Sequence, residues 1–92
     1  MDDLGQLIQR GCEAADYLWQ APDDSAARAQ VAALLLEIRG AGESQGAREM
    51  PAICDRLGPA VNAAPTPQSV EILQDGFARL HKLWLANRSG LV

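Results

Sequence analysis

Apolar residues recur every three to four positions along most of the chain, which is the spacing of one face of an α-helix. Turn-forming stretches at APDD (21–24), GESQG (42–46) and GPAVNAAPTP (58–67) divide this pattern into four segments. No segment alternates apolar and polar residues with a period of two, so no strand is predicted. Four amphipathic helices with short links predict an all-α, up-down-up-down four-helix bundle.

The first two segments each show a single apolar stripe. In residues 2–20 the stripe is predicted to comprise Leu4, Ile8, Gly11, Ala15, Leu18 and Trp19. The second segment begins at Asp24 or Ser25, because both residues are good N-caps. Its stripe is predicted to comprise Ala27, Val31, Leu34, Leu35, Ile38 and Gly42.

The last two segments are bounded by proline and glycine. The third is predicted to end at Gly58-Pro59, and Pro51 implies either a distorted first turn or a later start. The fourth opens with Thr66 as N-cap and Pro67 at the first helical position. The predicted core positions of the third segment are Met50, Ile53, Cys54 and Leu57. Those of the fourth are Val70, Leu73, Phe77, Leu80 and Trp84, widened by Ile72, Gly76 and Leu83.

The second segment has an unusual outer face. Leu36 lies about 140° from Val31 on a helical wheel and is predicted to be exposed, whereas Leu35 and Ile38 lie within about 40° and are predicted to be buried. Either the bundle buries this helix on nearly all sides, or the face docks a partner whose backbone approaches closely. We name this surface the Leu36 face, and its predicted binding residues are Ala32, Ala33, Leu36, Arg39, Gly40 and Glu43.

The run LEIRG at 36–40, followed by small residues and Gly46-Ala47, resembles the His-x-Leu-Lys-Gly signature of histidine phosphotransfer (HPt) domains. It is most similar to the N-terminal domain of CheA-type chemotaxis kinases. The similarity continues through the third segment and through TPQSVEILQDGFARLHKLW at 66–84. The resemblance implies an HPt-like bundle and a partner in two-component signalling, either a response-regulator receiver domain or a histidine-kinase component.

The chain departs from that family at the position that carries the chemistry. Leu36 stands where the family has its phospho-accepting histidine, and leucine has no nitrogen nucleophile. Arg39 replaces the family's lysine, and Gly58 replaces a common acidic residue. The resemblance therefore implies a pseudo-HPt domain, a non-catalytic interaction module. Because the family often carries a fifth helix and the chain stops at Val92, one interpretation is a domain excised from a larger protein.

Length, charge and cysteine usage argue against a multidomain protein, a nucleic-acid-binding protein, a metal or cofactor protein and a membrane-spanning protein. The 92 residues predict one domain over 1–92, and a net charge of −4 with scattered Lys and Arg argues against nucleic acid as a partner. Cys12 and Cys54 lack metal or redox spacing, so we predict two buried free thiols, no metal and no cofactor. No apolar run approaches the roughly 20 residues of a membrane span, which predicts a cytoplasmic protein without membrane insertion.

The remaining polar residues offer few candidates for chemistry. His81 is predicted to be a half-buried packing residue, with phosphotransfer through His81 as the alternative. Asp23-Asp24 is interpreted as a capping pair rather than an acid/base dyad. No nucleophile–base pair is recognisable, so the chain is predicted not to be an enzyme. Trp19 and Trp84 are predicted to cover the ends of the core, and a homodimer formed through the Leu36 face is a further alternative.

Overall fold

The computed structural model describes residues 3–44 and 48–89, which form four α-helices. These are α1 (Asp3–Gln20), α2 (Ser25–Ser44), α3 (Glu49–Asn62) and α4 (Pro67–Ser89). Both α1 and α3 pack against α2 and α4, while the diagonal pairs do not approach each other within the described ranges. The predicted all-α four-helix bundle is confirmed. The up-down-up-down order stays a prediction, supported by short links of the kind that join antiparallel helices. The turn predicted at Gly46 lies outside the described residues.

The predicted apolar stripes form the core. Every predicted stripe residue of α2 is buried, as are the four predicted core residues of α3. Phe77 of α4 is completely buried, and Trp84 packs partly buried against the core as predicted. The predictions that Trp19 and Ile72 belong to the apolar stripes are wrong, because each side chain is about half exposed. Ile72 lies about 100° around the helix from Leu73, beyond the arc that the neighbouring helices cover.

Side-chain caps set the starts of α2 and α4. The Ala27 N–H donates to Asp24 Oδ1 at 3.1 Å, and the Tyr17 hydroxyl donates to Asp24 Oδ2 at 2.9 Å. The bond from Ala27, followed by that from Tyr17, lowers the pKa of Asp24. At α4, the Ser69 N–H donates to Thr66 Oγ1 at 3.3 Å, and the Thr66 N–H donates back to Ser69 Oγ at 3.2 Å. Both predicted N-caps are confirmed.

The prediction that α3 ends at Gly58-Pro59 is wrong, because the helix continues to Asn62 with Pro59 inside it. Pro59 has no N–H for a helical hydrogen bond. The continuation buries Ala60 and Val61 against the rest of the bundle. That burial offsets part of the cost of the proline.

The end of α3 is also held by a cation from α2. The Arg28 guanidinium donates to the backbone carbonyls of Val61 and Ala63, at the C-terminal end of α3, where the last helical carbonyls lack intrahelical partners. At the other end, Pro51 lies in the first turn of α3, where a missing N–H removes no intrahelical bond. The start is therefore neither late nor in need of the distortion that the sequence suggested.

Candidate functional site

The Leu36 face is exposed in the folded bundle. The Leu36 side chain is 72% exposed, whereas Leu35 is 5% and Ile38 0% exposed, as the helical wheel predicts. Of the other five residues, Ala33, Gly40 and Glu43 are exposed, and Ala32 and Arg39 are partly buried. The interpretation that the bundle buries α2 on nearly all sides is therefore wrong.

The glycines of α2 have different surroundings, although they are two residues apart. A Cβ built on Gly42 would lie 3.0 Å from Met50 Cβ, so Gly42 permits the close packing of α2 against α3. A Cβ on Gly40 would meet nothing within 4 Å. Glycine inside a helix costs about 1 kcal/mol relative to alanine. Packing within the bundle explains Gly42 and does not explain Gly40.

A groove of about 300 Å³ runs beside Leu36, between α2 and α3. From α2 it is lined by Ala32, Leu35, Leu36 and Arg39, and from α3 by Cys54, Asp55, Gly58, Val61 and Asn62. Gly58 resembles Gly40, because open space lies above it in the middle of a helix. This wall of the site was not predicted from the sequence, because Gly58 was expected at the end of α3 and lies inside it. The sequence feature that could have indicated this wall is Gly58 itself, a second glycine, after Gly40, within a helical pattern of apolar residues.

Arg39 forms a polar bridge across this groove. Its Nε donates to Asp55 Oδ1 of α3 at 2.9 Å, and its Nη1 lies 3.4 Å from Glu43 Oε1, one turn along α2. The hydrogen bond that Arg39 donates to Asp55 is the main cause of the raised pKa of Arg39. An exposed pair of this kind contributes little to stability. The pair holds the Arg39 guanidinium at the edge of the groove, and the two carboxylates offset the charge of Arg39. Leu36 is therefore the large apolar side chain that this face exposes to solvent.

Both cysteines have a raised pKa in the folded chain. Cys54 lines the groove but is only 4% exposed, and burial, followed by the charge of Asp55, raises the pKa of its thiol to about 11. Burial also raises the pKa of Cys12, followed by the charges of Asp16 and Glu13. Both thiols are free, and Cys12 is only partly buried, contrary to the prediction. Since the thiolate is the reactive form, the raised pKa of each thiol lowers its reactivity near neutral pH, and burial lowers that of Cys54 further.

Alkylation should separate the two thiols. At pH 8 we expect iodoacetamide to modify Cys12 severalfold faster than Cys54, because Cys54 is nearly inaccessible and almost entirely protonated. Mass-spectrometric peptide mapping over a time course measures both rates in one sample. The rate at Cys54 should rise as the pH approaches about 11. Equal alkylation rates of Cys12 and Cys54 at pH 8 in folded protein would contradict the burial of Cys54. The Cys12→Ser variant leaves Cys54 as the remaining thiol, so its rate can be measured alone.

His81 lies away from the Leu36 face. It is exposed rather than half-buried as predicted, and its ring centroid is 5.8 Å from that of Trp84. With Cys12 and Lys82 it borders a groove of about 830 Å³ between α1 and α4. Because α4 does not pack against α2, the imidazole and Leu36 lie on separate parts of the bundle.

The described part of the chain contains no group of three or more His, Cys, Asp or Glu side chains that could hold a metal ion. Within residues 3–44 and 48–89, no helix has the length and apolarity that a membrane crossing requires. No protein-family model, curated protein or solved structure matches this chain.

Proposed function

We propose that the chain is a non-catalytic pseudo-HPt interaction module of two-component or chemosensory signalling. It binds a response-regulator receiver domain, or a histidine-kinase component, through the Leu36 face and without phosphotransfer. The observation that carries the proposal is the 72% exposure of Leu36 on a helix face with open space above Gly40. The resemblance of LEIRG and its flanking residues to the HPt signature supplies the class of partner.

The face has the composition of a small docking surface. An apolar centre formed by Leu36 and alanines is bordered by Arg39, Asp55 and Glu43, which is the core-and-rim arrangement of protein interfaces. A partner that buries the Leu36 side chain gains about 1.5–3 kcal/mol. Gly40 and Gly58 leave room for the partner's side chains or backbone on both sides of the groove. The cost of two helical glycines is then offset on binding rather than on folding.

The alternatives make different experimental predictions. Phosphotransfer through His81 is favoured by the exposure of its imidazole, and it predicts an acid-labile, alkali-stable radiolabel that His81→Ala abolishes. A structural homodimer is favoured by the exposed leucine itself, and it predicts a molecular mass that rises with concentration.

A panel of purified receiver domains tests the proposal directly. We expect at least one receiver domain to bind in an isothermal titration, while light scattering shows a monomer and a phosphodonor leaves no label on the chain. Binding to no member of the panel, together with a concentration-dependent dimer mass, would assign the Leu36 face to self-association. A radiolabel that His81→Ala removes would replace the proposal with phosphotransfer.

A further inference from the structure

A third groove, of about 620 Å³, lies between α3 and α4. Apolar and cationic side chains line most of it. Its lining residues are Glu49, Ala52, Ile53, Arg56, Arg79, Lys82, Leu83 and Ala86. Arg56 lies about 100° around α3 from Asp55, which borders the Leu36 face. The groove beside Leu36 and the α3/α4 groove therefore use different faces of α3.

Among the described side chains, none of the three cations of this groove forms a salt bridge within 4 Å. Both salt bridges found among the described side chains involve Arg39, and Arg28 is engaged by carbonyls at the end of α3. Arg56, Arg79 and Lys82 line the groove from two helices, with Glu49 as the acidic residue beside them. With Glu49 counted against the three cations, the charged lining of this groove has a net charge of +2, in a chain whose net charge is −4. The mutual repulsion of the three cations is relieved when an anionic group binds between them.

We propose that this α3/α4 groove binds an acidic amphipathic segment of a partner protein. The cations would pair with carboxylates, and Leu83 with the alanines would receive apolar side chains. A compact anion such as phosphate would leave the apolar floor unused. Nucleic acid is disfavoured because its binding requires a basic surface larger than an acidic chain with scattered cations provides. An extended groove between two helices suits a helix laid along it, with anchors spaced three to four residues apart.

A synthetic helical peptide provides the probe. It carries leucines at i, i+3, i+4 and i+7 positions flanked by glutamates, and a fluorescent label reports binding by anisotropy. We expect the peptide to bind at low ionic strength and to weaken as salt is added. The double variant Arg56→Glu/Arg79→Glu should weaken binding at least tenfold. The control is Arg10→Glu, at an exposed arginine on α1 outside the groove, and it should change the affinity less than twofold.

Comparison probes decide the class of ligand. The same peptide with lysines in place of glutamates should not bind, and polyglutamate without leucines should bind at least tenfold more weakly. Inorganic phosphate at millimolar concentration should not displace the peptide. Equal loss of binding in the α3/α4 double variant and in Arg10→Glu would overturn the proposal, as would tighter binding of phosphate or of an RNA oligonucleotide. Circular dichroism of each variant confirms that the helices are retained.

Discussion

Replacing Phe77 with alanine is expected to destabilise the bundle by about 3–5 kcal/mol, close to the whole stability of a small domain. Phe77 is the only phenylalanine in the chain and is completely buried in the middle of α4. Urea unfolding followed by circular dichroism measures the loss. Wild-type stability in Phe77→Ala would contradict the core assignment of α4.

The contact between Phe77 and Gly11 permits a sharper test. A Cβ on Gly11 would overlap the Phe77 ring, so Gly11→Ala alone should destabilise by about 1–3 kcal/mol. In the Phe77→Ala background the added methyl has space, and alanine is the better helix former by about 1 kcal/mol. The sign of the Gly11→Ala effect should therefore reverse. Gly40→Ala is the matched control, because open space above Gly40 predicts stabilisation of up to about 1 kcal/mol in both backgrounds.

Periodicity predicted the helices and most of the core because each helix buries one stripe. The stripe of α2 is correct at every position, and the same wheel placed Leu36 in solvent. Local capping chemistry likewise predicted Asp24 and Thr66. Such features depend on neighbouring residues and can be read from one segment at a time.

Features that depend on contacts between segments could not be predicted in this way. Gly58-Pro59 is a helix end by local rules, but α3 continues because Val61 is buried and Arg28 of α2 binds carbonyls at its end. The α3 wall of the Leu36 groove was missed for the same reason. The bridge from Arg39 to Asp55 joins residues on different helices, and their pairing is not visible in either segment alone.

The second large effect concerns binding rather than stability. Leu36→Glu should weaken binding of the receiver domain at least tenfold, because a charge replaces a side chain whose burial contributes about 1.5–3 kcal/mol. Gly40→Gln should act in the same direction, since a long side chain then occupies the space above the helix. Neither change should lower stability, because Leu36 is exposed and a Cβ at Gly40 meets no atom within 4 Å. Ile72→Glu provides the control, as it places the same charge on an exposed apolar position of α4.

The most direct test pairs a thermal melting curve with a receiver-domain titration for Leu36→Glu, Gly40→Gln and Ile72→Glu. The docking function predicts unchanged or slightly raised melting temperatures in the Gly40 variant and near-parental melting in the other two. It also predicts a tenfold or greater loss of affinity in the Leu36 and Gly40 variants, with parental affinity in Ile72→Glu. Lower melting temperatures in the Leu36 and Gly40 variants, or affinities equal to that of Ile72→Glu, would contradict the assignment of the Leu36 face as the binding surface.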